Sequence, residues 1–371
     1  MQMKSWNHLF EMAVSEETRK KAVHDVLRGK RKMRHVEKYA HDEEKTVNKS
    51  LEWVTHYHNA SHKPIEIYDG ISRKKRTIIV PTFEELIVQH CVVEAMRPLL
   101  MHGMYEHSYA SIPGRGAHKG KKMIRKWIDH DGKNCKYVLK MDIRHFFPSI
   151  PHDRLKERLK QTIHDEKFLS ILFEIIDMTD VGLPLGFFTS QWLSNWYLQR
   201  LDHYIKEDLG AFHYIRYMDD MVIFGPNKKE LHKMRKQIES YLHDVLGLEM
   251  KDNWQIFRFD YIKKGKHYGR DLDFMGFRFF RNKTILRRSI WYKCCRKARR
   301  ISKKIKTSVY EIKQMLSYLG WIKASDVYHA YLIYIKPFID FHNFKKIIGR
   351  SERRKKNEMG IAHRITVIQA A

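Results

Sequence analysis

Two adjacent aspartates, Asp219 and Asp220, lie between two short apolar segments, 213–217 and 221–224. Each segment has the length and composition of a strand, and residues 218–220 suffice only for a tight turn. The sequence therefore predicts a β-hairpin with two carboxylates at its tip. Turns often contain aspartate, but this one lacks the glycine that tight hairpin turns prefer, which argues against a purely structural role for the pair.

The segments around this hairpin alternate between strand and helix patterns. Strands are predicted at 137–143 and 273–280, and helices at 83–100 and 228–246. The chain after residue 289 has a mostly helical pattern. This order predicts an α+β body followed by a helical appendage.

The charge of the chain points to a polyanionic partner. Its 371 residues include 71 Lys and Arg against 43 Asp and Glu, a net charge of +28. From 274 to 310 there is no acidic residue, and aromatic side chains interleave with the basic ones. Basic groups neutralise phosphates and aromatic rings stack on bases, so we predict nucleic-acid binding. A membrane surface is a weaker alternative, because the basic residues do not form one amphipathic helix.

The sequence favours a cytoplasmic protein. No segment reaches the roughly 18 apolar residues of a membrane helix, and the first residues lack the apolar core of a signal peptide. The four cysteines form no CxxC pair. A reducing compartment is therefore expected.

A third carboxylate, Asp142, ends the apolar strand at 137–143. Acids this close to one another repel unless a cation lies between them. Carboxylates on two adjacent strands can hold two Mg²⁺ ions about 3.5–4 Å apart, which is the arrangement used for in-line phosphoryl transfer. We therefore predict a two-metal site formed by Asp142, Asp219 and Asp220.

The motif Tyr217-Met218-Asp219-Asp220, with Asp142 on an upstream strand, resembles the palm of a reverse transcriptase. The resemblance implies a right-hand polymerase fold with fingers, an antiparallel palm sheet and a helical thumb. It implies an RNA-directed DNA polymerase with Asp142, Asp219 and Asp220 as catalytic metal ligands. The Ile143 carbonyl would be a further ligand, and the metal two Mg²⁺ ions, with Mn²⁺ as a substitute.

Other blocks of that family occur in order along the chain. Lys74-Lys75-Arg76 resembles the fingers block that holds the incoming triphosphate, and Phe147 matches the steric gate that rejects a ribose 2′-OH. Residues 108–116 resemble a second fingers block, in which many relatives have arginine where this chain has Ile112. Arg115 is therefore expected to supply the positive charge that contacts the nucleotide. The resemblance assigns contacts with the dNTP to Lys74, Arg76, Arg115, Phe147, Gly186 and Gln191.

The block Leu185-Gly186 to Ser190-Gln191 departs from the common pattern Gln-Gly-x-x-x-Ser-Pro. It resembles the form found in diversity-generating retroelement reverse transcriptases, which make errors opposite template adenine. Leu185, Gly186 and Ser190 would then contact the template base. Leucine in place of glutamine removes a polar contact there, which would lower selectivity.

Towards the C-terminus, Phe274, Met275 and Gly276 resemble the primer grip, and the basic helices that follow resemble the thumb. The thumb residues expected to bind nucleic acid are Arg287, Arg288, Lys293, Arg296, Lys297 and Arg300. Lys251 lies where the family places a proton-donating lysine, but the match is loose and we predict a surface lysine.

These matches divide the chain into five predicted regions. They are an N-terminal helical extension (1–70), fingers (71–135), palm (136–280, with a helical insertion at 153–180), thumb (281–348) and a basic tail (349–371). The resemblance implies a structured template RNA, an RNA–DNA hybrid and dNTPs as partners. It also implies a small basic accessory protein, the accessory variability determinant, and a bacterial or phage-encoded enzyme.

Two alternatives remain open at this stage. One keeps the enzyme but makes it a retron-like or abortive-infection reverse transcriptase in anti-phage defence. The other is a catalytically silent RNA-binding protein, which the three acids argue against, since a binding groove for RNA has no use for clustered carboxylates. An RNA-dependent RNA polymerase is disfavoured, because Phe147 would clash with a ribonucleotide and Gly-Asp-Asp is absent.

Overall fold

A computed structural model describes residues 6–68 and 75–353. Lys74, an expected contact with the dNTP, and residues 354–371 of the predicted tail lie outside the described residues. The chain divides into two compact units, the first formed by 1–120 and 130–258 and the second by 121–129 and 259–371. This division falls at residue 258, whereas the sequence places the end of the palm at 280.

The first unit begins with helices. They are α1 (Leu9–Val14), α2 (Glu16–Leu27), α3 (Arg34–His41) and α4 (Glu43–Thr55), followed by the exposed antiparallel strands β1 (Ile65–Tyr68) and β2 (Lys75–Ile78), and by α5 (Phe83–Met101). The next helix, α6 (Ala117–His130), belongs to this unit only at its two ends. The start of α5 is fixed by a capping box between Thr82 and Glu85. Because α5 is buried along most of its length and packs on α1, α2 and α4, it forms the centre of this helical region.

A four-stranded antiparallel sheet forms the rest of the core of the first unit. Its strands are β3 (Tyr137–Asp142), β4 (His213–Tyr217), β5 (Asp220–Gly225) and β6 (Gln255–Arg258), in the order β4-β5-β3-β6. The central β5 is apolar and almost wholly buried. This sheet and the surrounding helices confirm the predicted α+β class.

Helices connect the strands of this sheet. They are α7 (Phe146–Ser149), α8 (His152–Lys160), α9 (Glu166–Ile176), α10 (Phe188–Tyr197), α11 (Gln199–His203) and α12 (Lys228–Ser240), with π-helical turns at Tyr204–Asp208 and Tyr241–Val245. The predicted helical insertion at 153–180 contains two helices, α8 and α9, because Asp165 caps a new helix by accepting from the Phe168 N–H. Helix α12 packs on β3, β5 and β6.

The second unit joins small antiparallel sheets to helices. Its strands are β7 (Tyr261–Lys263), β8 (Lys266–Tyr268), β9 (Leu272–Phe274), β10 (Phe277–Phe279) and β11 (Thr284–Leu286), and its helices are α13 (Arg288–Ser302), α14 (Val309–Lys323), α15 (Tyr328–Tyr334) and α16 (341–353). Residues 121–129 of α6 also belong here, and the Arg125 guanidinium donates to the carbonyls of Phe280 and Arg281. Within the described ranges, no helix is both long and apolar enough to cross a membrane.

Candidate active site

The hairpin tip and the end of β3 bring three carboxylates together. Asp142 lies directly opposite Asp220 on the neighbouring strand, and Asp220 also pairs with Tyr217 across the hairpin. Opposite residues on antiparallel strands have Cβ atoms about 4.5–5.5 Å apart. The predicted turn at 218–220 is one residue too long, because β5 begins at Asp220 and the turn consists of Met218 and Asp219.

Met218 takes the backbone conformation that glycine usually supplies in such a turn. Its φ is +58°, in the left-handed region, which is uncommon for a side chain of this size. The neighbouring contacts hold it there. The Arg216 guanidinium donates to the Met218 carbonyl at 3.1 Å, and the Ser194 hydroxyl contacts the Met218 sulfur at 3.6 Å.

A buried ion pair supports this turn. Arg216 and Asp202 are completely buried, and Nε and Nη2 of Arg216 donate to the two carboxylate oxygens at 2.7 and 2.6 Å. The Tyr214 hydroxyl donates to the same carboxylate at 2.7 Å, and the Asn195 side-chain oxygen accepts from Arg216 at 3.0 Å. This network was not predicted from the sequence, although an arginine within an apolar strand signals a buried acidic partner.

Burial and the neighbouring acids change the ionisation of Asp219. Burial, followed by the nearby carboxylates of Asp142 and Asp220, raises the pKa of Asp219 to about 7, while Lys251 opposes the shift. The Lys251 ammonium lies 2.7 Å from Oδ2 of Asp142. The expected surface lysine is thus an ion-pair partner of a predicted catalytic acid.

The backbone explains why Lys251 reaches this position. The Lys251 N–H donates to the Asp142 carbonyl at 2.9 Å, and Ile143 forms an antiparallel bridge with Met250. The segment 249–251 therefore continues the pairing beyond the end of β3. No local pattern in the sequence signals this long-range contact.

The carboxylate oxygens of this site suit a hard divalent cation, but the three side chains are not arranged around a metal position. Oδ1 of Asp142 is buried and has no hydrogen-bond partner. Carboxylate oxygens are the ligands that Mg²⁺ prefers. Within the described ranges, no group of three His, Cys, Asp or Glu side chains is placed to hold a metal as it stands. Lys251 lies against the second oxygen of Asp142, so a cation at Oδ1 would share this carboxylate with the lysine ammonium.

The loop at 184–191 contacts the residue that follows β2 through backbone atoms. The Ile79 N–H donates to the Leu185 carbonyl at 2.8 Å, and Gly186 has φ +113°. A Cβ atom at Gly186 would lie 2.2 Å from the Ile79 carbonyl oxygen, so only glycine fits. Leu185 is half-buried, and the buried Ser190 hydroxyl closes the loop by donating to Pro184 at 2.8 Å. Gln191 is exposed.

The other predicted contacts with the dNTP differ in their surroundings. Phe147 is half-buried, and its carbonyl accepts from Leu183 at 2.7 Å. Arg76 is exposed on β2. Nη1 of Arg115 donates to the carbonyls of Tyr105 and Ser108 at 2.5 and 3.3 Å, so this arginine also stabilises its own loop.

In the second unit, the predicted primer grip is a hairpin turn. Met275 and Gly276 have φ values of +50° and +84° between β9 and β10, and Phe274 is fully buried. Of the six predicted thumb residues, Arg288, Arg296 and Arg300 are exposed and Lys293 is half-buried. Arg287 pairs with Asp273 at 2.6 Å, and Lys297 donates to Gln314.

Comparison with known proteins identifies the family. Residues 62–278 match the family described as Reverse transcriptase (RNA-dependent DNA polymerase), which is more than half of the chain. The chain belongs to the reverse transcriptase family. Membership in this family confirms the predicted right-hand polymerase fold.

Several curated relatives of this reverse transcriptase come from bacteria. The retron Ec73 reverse transcriptase of Escherichia coli is 27% identical over 53% of this chain and 65% of its own length. The group II intron-encoded protein LtrA of Lactococcus lactis is 24% identical over 57% of this chain and 35% of its own. The chain thus spans about a third to two thirds of these relatives. Among solved structures, the telomerase of Candida albicans with a telomeric RNA fragment matches with a TM-score of 0.46, at 12% identity, over 85% of this chain and 62% of that one.

Proposed function

We propose that this protein is an RNA-directed DNA polymerase that copies a template RNA into cDNA from dNTPs. The observation that carries the proposal is the cluster of Asp142, Asp219 and Asp220, where two neighbouring strands place three carboxylates with one buried oxygen left without a partner. Clustered carboxylates repel one another, and a protein that only binds RNA would gain nothing from this repulsion. The same residues lie within the segment that matches the family.

The proposed chemistry assigns a separate task to each part of the site. When bound by Asp142, Asp219 and Asp220, two Mg²⁺ ions would supply charge stabilisation for the attacking and leaving oxygens. The Arg216 network holds the turn in place. Phe147 excludes a ribose 2′-OH, and the Leu185-Gly186 loop contacts the template pair. Lys251 carries an ammonium group into the same acid cluster and can hold or donate a proton there.

Primer extension tests this proposal. The purified chain is incubated with an RNA template, an annealed primer, dNTPs and Mg²⁺, and the product is sequenced. DNA complementary to the RNA supports the proposal. RNA binding without any extension, with Mg²⁺ or Mn²⁺, would instead favour the silent RNA-binding protein.

A finer proposal is that synthesis is error-prone at template adenines, as in diversity-generating retroelements, with a dedicated structured RNA and an accessory basic protein as partners. It is supported by Leu185, whose side chain is half-buried and cannot form a hydrogen bond. The second candidate is a retron-like role in defence, which the similarity to the retron Ec73 enzyme favours. Repeats beside the gene, one template and one variable copy, would favour the first role.

Leu185→Gln is expected to lower misincorporation opposite adenine by roughly tenfold, because a polar side chain restores a selective contact with the template base. The two proteins are compared by sequencing cDNA from one template. Leu185→Met, which changes the shape but not the polarity, is the matched control. Identical error spectra for Leu185→Gln and the unchanged chain would remove the role of this residue in fidelity.

Phe147→Val is expected to admit ribonucleotides, because the smaller side chain opens space beside the sugar. We expect the ratio of kcat/KM for dNTP over rNTP to fall by about 100-fold, equivalent to roughly 2.7 kcal/mol of lost discrimination. Single-nucleotide extension with dNTP or rNTP measures this ratio. Phe146→Val, beside it but fully directed into the core, should lower stability and leave the ratio unchanged.

A further inference from the structure

The second unit carries a small exposed hairpin, formed by β7 and β8, that none of the roles above uses. All residues from 262 to 270 are exposed, and no acid occurs from 261 to 270. The turn is tight, with left-handed conformations at Lys264 and Gly265 (φ +49° and +75°). A two-stranded hairpin of this size is marginally stable by itself.

Anchoring at its base keeps the hairpin in place. The buried Asp260 side chain accepts from the Arg281 N–H at 2.7 Å and contacts Nδ1 of His267 at 2.9 Å. The Asp260 N–H donates to the Arg270 carbonyl at 3.0 Å. The body of the unit therefore holds the hairpin by its base and leaves its tip in solvent.

The pairing places two kinds of side chain on one face. Tyr261 pairs with Tyr268 and Lys263 with Lys266, and alternate residues of a strand share a face. The two tyrosine rings stack with centroids 5.7 Å apart, and Tyr268 is 45% exposed. The lysine pair follows about 7 Å further along the strands. The opposite face carries Ile262 and His267.

The lysine pair makes the hairpin less stable than a neutral pair would. Like charges directly opposite one another on antiparallel strands repel. Within the residues that the structure describes, Lys263, Lys264 and Lys266 form no ion pair. A bound polyanion would remove this repulsion, and the exposed tyrosine beside it offers a flat surface for a base.

We propose that the face formed by Tyr261, Lys263, Lys266 and Tyr268 is a binding site for single-stranded RNA, with phosphates on the lysines and a base stacked on Tyr268. The inference rests on the proposed function, since it gives the template RNA a contact in addition to the one proposed for the Leu185-Gly186 loop. An acidic protein would satisfy the lysines but leave the stacked tyrosines unexplained.

The test compares two double variants that remove equal charge. Affinity for oligo(U) is measured in EDTA over a range of salt concentrations. Lys263→Gln with Lys266→Gln should weaken binding by roughly tenfold and reduce the slope of log Kd against log salt by about 1.4, the value for two phosphates of a single strand. Lys229→Gln with Lys233→Gln, two exposed lysines of α12, is the control and should change both quantities little.

Thermal unfolding separates binding from folding. Because the lysine pair repels, its removal should leave the melting temperature unchanged or raise it while RNA binding weakens. Tyr268→Ser should weaken binding by roughly tenfold, whereas Tyr268→Phe, which keeps the ring, and Ile262→Thr, on the opposite face, should not.

Equal losses in the two double variants would overturn the inference, because only the total charge would then matter. Unchanged RNA affinity, with lost binding to phosphatidylserine vesicles, would overturn it in favour of a membrane contact. Primer extension by the unchanged chain is measured in parallel. If that chain makes no DNA but the hairpin variants lose RNA affinity, the hairpin site stands and the proposed polymerase function falls.

Discussion

Asp219→Asn is expected to reduce DNA synthesis by roughly a thousandfold or more, since several kcal/mol of charge stabilisation depend on the metal ligands. RNA affinity should change little. Primer extension and RNA binding measure the two effects. Asp208→Asn, which removes an exposed acid from the same unit, is the control and should leave synthesis unchanged.

The same substitution should stabilise the protein when metal is absent. Burial and the neighbouring acids raise the pKa of Asp219 to about 7. A carboxyl with a raised pKa in the folded state favours folding when it is protonated, so the free energy of unfolding should fall as pH rises from about 4 to 7. Asp219→Asn should lack this fall in EDTA, and Mg²⁺ should raise the melting temperature of the unchanged chain only. A less stable Asp219→Asn protein in EDTA would contradict the proposed repulsion.

Arg216→Met should destabilise the fold by about 3–5 kcal/mol, because it leaves the fully buried carboxylate of Asp202 without its partner. It also removes the donor to the Met218 carbonyl, so synthesis should fall even under conditions where the variant is folded. Urea unfolding, followed by primer extension well below the midpoint, measures both effects.

The chain offers a closely matched control for this substitution. Arg31 pairs with Glu43 at 2.6 Å, the same distance as between Arg216 and Asp202, but both side chains are 36% exposed. Arg31→Met should therefore cost less than about 1 kcal/mol. If the two substitutions are equally costly, the buried network does not support the turn.

The sequence predicts those features of the fold that follow from burying apolar segments in the core. Apolar segments on both sides of Asp219 and Asp220 must pair in the core, and the apolar strand before Asp142 has to join the same sheet. Periodicity therefore suffices for the α+β class and for the meeting of the three acids. The sequence assigns Asp220 to the turn because the apolar segment begins at Met221, whereas pairing with Asp142 and Tyr217 places Asp220 in β5.

Contacts between distant segments were not predictable in this way. Lys251 reaches Asp142 through backbone pairing beyond the end of β3, and Gly186 is required by its close approach to Ile79. Both depend on the tertiary arrangement and leave no periodic signal. The stretch from 274 to 310 contains no acid, so its composition does not indicate that Arg287 has an acidic partner. That partner is Asp273, which lies one residue before the stretch.

The assignment of residues 121–129 to the second unit has a consequence for biogenesis. The ribosome completes this piece of α6 well before residue 259, so Arg125 emerges long before Phe280 and Arg281, whose carbonyls it binds. A fragment that starts at residue 259 would lack those donors. Splitting the gene at that point should therefore yield a C-terminal piece that stays incompletely folded until the N-terminal piece is supplied in trans.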